Sequence, residues 1–205
     1  HGSLSVSGNE EKKSAFRPLL PDVFHLPFND LDALDLIDDR VAGVIIETIQ
    51  GDAGVRIPSK EFLEKLRKIC NQNCNLLIMD EIQSGMGRTG KLFAFEHFEV
   101  IPDILTVGKA FGGGMPIGGL VTSQKLMSLF NNNPTLGHIT TFGGHPLSCA
   151  GALACIEVLT KENLLADVEE KGKLFEKLLN HSSIIEIRRI GLFFAIEMKN
   201  KEIVQ

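Results

Sequence analysis

Two apolar runs of strand length in this sequence end in residues able to do chemistry. Leu76-Leu77-Ile78-Met79 ends in Asp80-Glu81-Ile82-Gln83, and Ile104-Leu105-Thr106-Val107 ends in Gly108-Lys109-Ala110. Continuous apolar runs of this length suit strands buried on both faces of a parallel sheet. In open α/β sheets ligands bind at the carboxyl ends of the strands. Parallel strands share that rim, so Asp80 and Lys109 are expected to face one crevice. Phe111-Gly112-Gly113-Gly114 follows the lysine and removes side chains where backbone must turn sharply or approach a ligand. A lysine held there loses its proton more readily, through desolvation or a neighbouring cation. It then becomes a nucleophile able to form a Schiff base with a carbonyl compound. A buried carboxylate facing it needs a cationic partner, and a protonated pyridine nitrogen would serve.

Each residue alone has a plainer reading. Lys109 would be a surface lysine beside a flexible glycine loop, and Asp80-Glu81 a helix cap or a solvated turn. Gly108-Lys109 with its glycine tail also suggests a nucleotide phosphate loop. That pattern needs a glycine five residues before Gly108 and Ser or Thr after the lysine. Those positions hold Asp103 and Ala110, so the pattern fails. The pairing of the two strand ends, rather than either residue, favours chemistry.

The elements that must position these residues follow from the patterning. The segment to about Asp39 is polar, carries several prolines and reads mostly as loop. Val41–Ile46 is a buried strand, and Ser59–Cys70 a helix with a Ser cap and Phe62, Leu63, Leu66 and Ile69 at helical spacing. A further strand is expected within Pro116–Thr122, a small-residue helix over Leu147–Thr160 and a charged amphipathic helix over Leu164–Leu179. Ile184–Ile187 and Leu192–Ile196 read as strands joined through Gly191. Alternating strands and helices predict an α/β fold with a mainly parallel sheet. The change of style after about Thr160 predicts a second, smaller α+β unit.

Composition excludes several classes. Among 205 residues, 43% are hydrophobic and 23% charged, enough apolar material for a core and against intrinsic disorder. A net charge of −5 with scattered basic residues argues against nucleic acid as the main partner. No run approaches the roughly 18 apolar residues needed to span a membrane. His1-Gly2-Ser3-Leu4 has neither the basic head nor the apolar run of a leader. Cys70, Cys74, Cys149 and Cys155 form no CxxC pair and no zinc spacing with a histidine. They are expected to be buried reduced thiols, which places the protein in the cytoplasm.

Four longer motifs bring in a family. Asp80-Glu81-Ile82-Gln83-Ser84-Gly85-Met86-Gly87-Arg88-Thr89-Gly90 resembles the DEVQTGxGRTG signature of class III, ornithine-type aminotransferases. Ile46–Gly54 resembles their EPIQGEGG segment, and Gly108–Gly119 their lysine segment SKALGGGxPIGA. Thr140–Ala150 resembles STFGGNPLACA, and the similarity runs from His1 to the end.

The resemblance implies a fold type I enzyme dependent on pyridoxal 5'-phosphate (PLP). Residues 1–160 would form part of the cofactor-binding large domain, without its N-terminal portion. Residues 161–205 would begin a truncated small α+β domain. The upstream phosphate loop and ring-stacking aromatic of the family, and its later small-domain arginine, would lie outside this partial chain. Lys109 is then the Schiff-base lysine and proton shuttle, and Asp80 pairs with the pyridine nitrogen. Ile82 packs on the ring, Gln83 reaches its phenolic oxygen side, and Thr141 binds the phosphate across a homodimer interface. Thr140 and Asp52 fall where the family contacts substrate, and Glu47 orients the site from behind. Ser3 stands where many members have a carboxylate-binding arginine, which leaves the amino donor open. The implied reaction moves an amino group from an acetylornithine- or ornithine-like donor to 2-oxoglutarate. An aminomutase, a decarboxylase or an inactive scaffold on the same fold are the alternatives.

Overall fold

The computed structural model describes residues 1–135 and 138–200, so the last five residues of the expected small unit lie outside the described residues. Two short helices, α1 (Gly2–Val6) and α2 (Glu10–Ser14), occupy the segment expected to be mostly loop. Asn9 explains the second, because its side chain accepts the Lys12 N–H at 3.1 Å and caps the turn.

Strand β1 (Gly43–Glu47) leads to helix α3 (Lys60–Asn73), which returns to β2 (Leu76–Asp80). Ser59 starts α3 by accepting the Phe62 N–H at 3.1 Å. Phe62, Leu63, Leu66 and Cys70 give the helix its buried face. It stops where Cys74 turns left-handed at φ 59. Next come β3 (Ile104–Val107) and β4 (Gly119–Thr122), then helix α4 (Gln124–Met127). The sheet order is β1-β2-β3-β4, with the first three strands parallel and β4 antiparallel to β3. A parallel return needs a long crossover, usually a helix. The chain from Val107 to Gly119 holds only a short 3₁₀ turn, Lys109–Gly112, so it folds straight back.

Helix α5 (Pro146–Lys161) starts with proline at its first turn, where the missing N–H costs nothing. The amphipathic helix expected over Leu164–Leu179 begins as a 3₁₀ turn, Leu164–Asp167, and continues as α6 (Val168–Leu178). A separate two-stranded antiparallel sheet follows, β5 (Ile184–Ile190) and β6 (Phe193–Met198). Among the described residues no helix is long and apolar enough to cross a membrane. The architecture is α/β with a mixed, mostly parallel sheet.

Within this chain one face of the sheet is packed and the other is partly open. Leu77, Met79, Leu105 and Val107 point to the packed face, where they meet Leu63, Leu66 and Phe98. Ile45, Leu76, Ile78, Ile104 and Leu120 point the other way and remain partly or largely exposed. That face is lined only in part, by Leu126, Leu129 and Phe130 at and just after α4. The cysteine expectation also needs correction. All four are free, but only Cys70 is buried, because Cys74 and Cys149 sit on solvent-facing positions of their elements and Cys155 is half-buried.

Candidate active site

The register of the parallel strands decides which side chains meet. Glu47 pairs with Asp80, and Asp80 with Thr106. Cross-strand partners share a face, so these three polar residues form a row at the carboxyl end of the sheet, on its open side. Asp80 Oδ1 accepts the Ile82 N–H at 3.0 Å, while Oδ2 has no partner among the described residues. Thr106 Oγ1 is likewise buried and without a partner among the described residues.

Lys109 follows one strand along. It opens the 3₁₀ turn with φ 49, a left-handed backbone that a non-glycine residue adopts only under constraint. Its side chain is exposed and makes no hydrogen bond or ion pair among the described residues. The constraint comes from α5. A Cβ on Gly113 would stand 2.8 Å from the Gly151 carbonyl, and one on Gly151 2.7 Å from the Gly112 carbonyl. Backbone therefore lies on backbone there, and Cys155 Sγ donates to the Ala110 carbonyl at 3.2 Å beside the seam. Ile82 joins the two rim loops, since a Cβ on Gly108 would come 3.4 Å from its Cγ2.

Glu47 closes the other side. Its Oε2 accepts the Gly51 N–H at 2.9 Å. Half-burial raises its carboxyl above the ordinary 4.5. The Gly51 bond pulls it back, the charges of Asp80 and Asp52 push it further up, and Lys109 lowers it. The Gly51 backbone in turn lies against the Gln83 carboxamide, which draws the loops after β1 and β2 together. Glu47, Asp80, Ile82, Gln83 and Lys109 thus converge on one rim, with Asp52 on the exposed tip of the neighbouring loop. Thr140 and Thr141 are not part of that convergence. Both lie in the solvent-facing segment before α5, and no hydrogen bond among the described residues joins them to Asp80 or Lys109.

Residues 1–205 match the aminotransferase class-III family over the whole chain. The chain belongs to the class-III aminotransferases. It is 42% identical to an acetylornithine aminotransferase of Methanopyrus kandleri, over 98% of this chain and 52% of that protein. The ornithine aminotransferase of Toxoplasma gondii superposes with a TM-score of 0.86 at 36% identity, over 96% of this chain and 47% of that one. That structure is described as having partial occupancy of PLP at its active site. The acetylornithine aminotransferase of Elizabethkingia anophelis gives a TM-score of 0.79 at 37% identity, over 89% and 47% of the two chains. The chain spans about half the length of these relatives.

Against this family background, the strongest support of the rim is a residue to which sequence reasoning gave no role. Glu81 is fully buried. Its Oε1 accepts from Thr48 Oγ1 at 2.7 Å and Phe95 N–H at 2.8 Å, and its Oε2 from Ser84 Oγ at 2.7 Å and Ala94 N–H at 3.0 Å. Strand alternation was the available signal. Of two adjacent acids at a strand end, one must turn away from the side where the other points.

Glu81→Gln should therefore destabilise the protein by about 3 kcal/mol, because the buried carboxylate is lost and an amide –NH₂ would face a backbone N–H that can only donate. Urea denaturation measures it, and a loss below about 1 kcal/mol would show that the network is not a support. Glu47 gives a pH signature. Its folded value lies above its unfolded one, so it favours the folded state below about pH 4.5 and loses that contribution as pH rises through the folded value. Glu47→Gln keeps an acceptor for Gly51 and removes the titration. Its stability relative to wild type should improve between about pH 4 and pH 7. Urea midpoints that differ by a constant amount across this range would contradict the burial of a titrating Glu47.

Proposed function

We propose that the protein carrying this chain transfers an amino group from an acetylornithine- or ornithine-like ω-amino donor to 2-oxoglutarate, using PLP. The observation that carries this is the single rim holding Glu47, Asp80 and Lys109, in a chain of the class-III family. The residues fit the cofactor. Asp80 Oδ2 is open to accept a ring N–H, and the orphaned Thr106 Oγ1 lies beside it in the cross-strand row. When bound, PLP supplies a conjugated ring that takes up the electron pair left when a bond at the donor's amino-bearing carbon breaks.

The chain's own groups divide the remaining work. Asp80 would hold positive charge on the ring nitrogen, Ile82 would pack against the ring, and Gln83 would serve the side of its phenolic oxygen. Lys109 Nζ takes the proton from the donor carbon and later returns one. Glu47 positions the row from behind, and Asp52 with Thr140 contacts substrate. Thr141 serves the phosphate of a second copy, so the working unit is a homodimer with shared sites. Residues 1–160 belong to a large domain and 161–205 to a small one. The free cysteines suit a reducing, cytoplasmic setting.

The deciding measurement is a screen of amino donors with 2-oxoglutarate, following glutamate release by the full-length enzyme. Turnover should be highest with ω-amino donors and lost in Lys109→Ala. Carbon dioxide release or migration of the amino group within the donor would replace the reading with a decarboxylase or an aminomutase.

The shared site has its own test. Lys109→Ala and Thr141→Asp should each be inactive, the second because a carboxylate repels phosphate where a hydroxyl donates to it. In a mixed dimer one site collects both lesions and the other collects none. Equal co-expression makes about half the dimers mixed, so activity should recover to roughly a quarter of wild type. Absence of recovery in verified mixed dimers would confine Thr141 to its own chain.

A further inference from the structure

We infer that Arg188 is a specificity-positioning residue, which holds the loop bearing Asp52 at the rim through its hydrogen bond to the Gly54 carbonyl. The inference rests on the assignment of Asp52 to the donor pocket proposed above.

Arg188 lies on β5, far along the chain from that loop. Its Nε donates to the Gly54 carbonyl at 2.9 Å. Its Nη1 bonds Glu197 Oε2 at 2.9 Å and also reaches Glu186. Glu186 and Glu197 face each other directly across β5 and β6. Like charges so placed repel, and the guanidinium between them removes the conflict. The same two carboxylates fix the guanidinium, leaving Nε aimed at the loop. Gly54 adopts φ +96, and a Cβ there would stand 3.0 Å from Arg188 Nη2.

The loop itself is a tight return. Gln50 and Arg56 exchange backbone hydrogen bonds at 3.1 and 3.0 Å, and Gly54 N–H bonds the Gly51 carbonyl at 3.0 Å. Its root is held by Glu47, through Gly51. Its far side is held by Arg188. Asp52 sits between these anchors, exposed and without a side-chain bond among the described residues, so the backbone alone sets its place. The hairpin of β5 and β6 also seats on the other rim loop. Leu192 N–H donates to the Arg88 carbonyl at 2.9 Å, and a Cβ on Gly191 would stand 2.6 Å from the Thr89 carbonyl carbon. One hairpin therefore touches both the loop carrying Asp52 and the loop that follows Gln83, and fixes the spacing between them.

Arg188→Lys separates positioning from simple stapling. Lysine keeps a cation between the two glutamates but lacks the fork that reaches Gly54. The test compares two donors of equal length in the full-length holoenzyme: ornithine, and 5-aminopentanoate, which lacks the second ammonium. A compound that is not turned over is read as a competitive inhibitor instead. Asp52→Asn should raise the ornithine to 5-aminopentanoate ratio of KM (or Ki) by about tenfold, and Arg188→Lys by about threefold. The Arg188→Lys effect should vanish when Asp52 is already Asn, because the two act through one contact. An unchanged ratio in Arg188→Lys, with the Asp52→Asn effect intact, overturns the inference and leaves Asp52 in its role. No effect of Asp52→Asn removes the donor-pocket reading itself, and the inference with it. If Arg188→Lys is too unstable to purify, Gly54→Ala displaces the same contact from the loop side, and the same ratios apply.

Discussion

The parallel register of β1, β2 and β3 is the constraint on which the site depends. Neighbouring strands stand about 4.8 Å apart, so Glu47, Asp80 and Thr106 come together only when each strand ends at the observed position. A one-residue slip of β2 would turn Asp80 into the core and bring Glu81 to the open side. Glu81 opposes that slip. Its four donors come from three different stretches of chain, and only this register brings them all within reach. Two adjacent carboxylates thus have opposite duties. One is saturated with hydrogen bonds and rigid, and the other keeps an oxygen open.

The same division recurs around the rim. Gly51 is held by Glu47, Ala110 by Cys155, and Gly54 by Arg188, in each case through a backbone group. Among the described residues, Asp80 Oδ2 and Lys109 Nζ, like Thr106 Oγ1 and the Asp52 side chain, are left without a protein partner. Fixing backbone from behind while leaving reactive atoms open is how a site becomes organised before a ligand arrives.

Much of this was legible in the sequence because it is local. The strand ends at Asp80 and Lys109, the Ser59 cap and the small-residue helix over Leu147–Thr160 all follow from runs of a few residues. Membership of the class-III family was legible from four motifs in order. What escaped was set by distance along the chain. Nothing near Arg188 announces that it reaches Gly54, and nothing near Cys155 announces the Ala110 carbonyl. An apolar run such as Leu76–Met79 reports that a strand tolerates burial on both faces, while the second face here is lined only in part. Thr141 was assigned only by resemblance, since its exposed side chain makes no hydrogen bond among the described residues from which a role could be derived.

Helix α5 has a mechanical consequence. It follows Thr140 and Thr141 after a few residues, and its Gly151 and Cys155 rest on the turn that bends Lys109. At 1.5 Å per residue, its 16 residues make a rod roughly 24 Å long. Backbone packed on backbone leaves no compliant side chain between rod and turn. A tilt of α5 would therefore carry the turn bearing Lys109 with it, like a lever on its fulcrum.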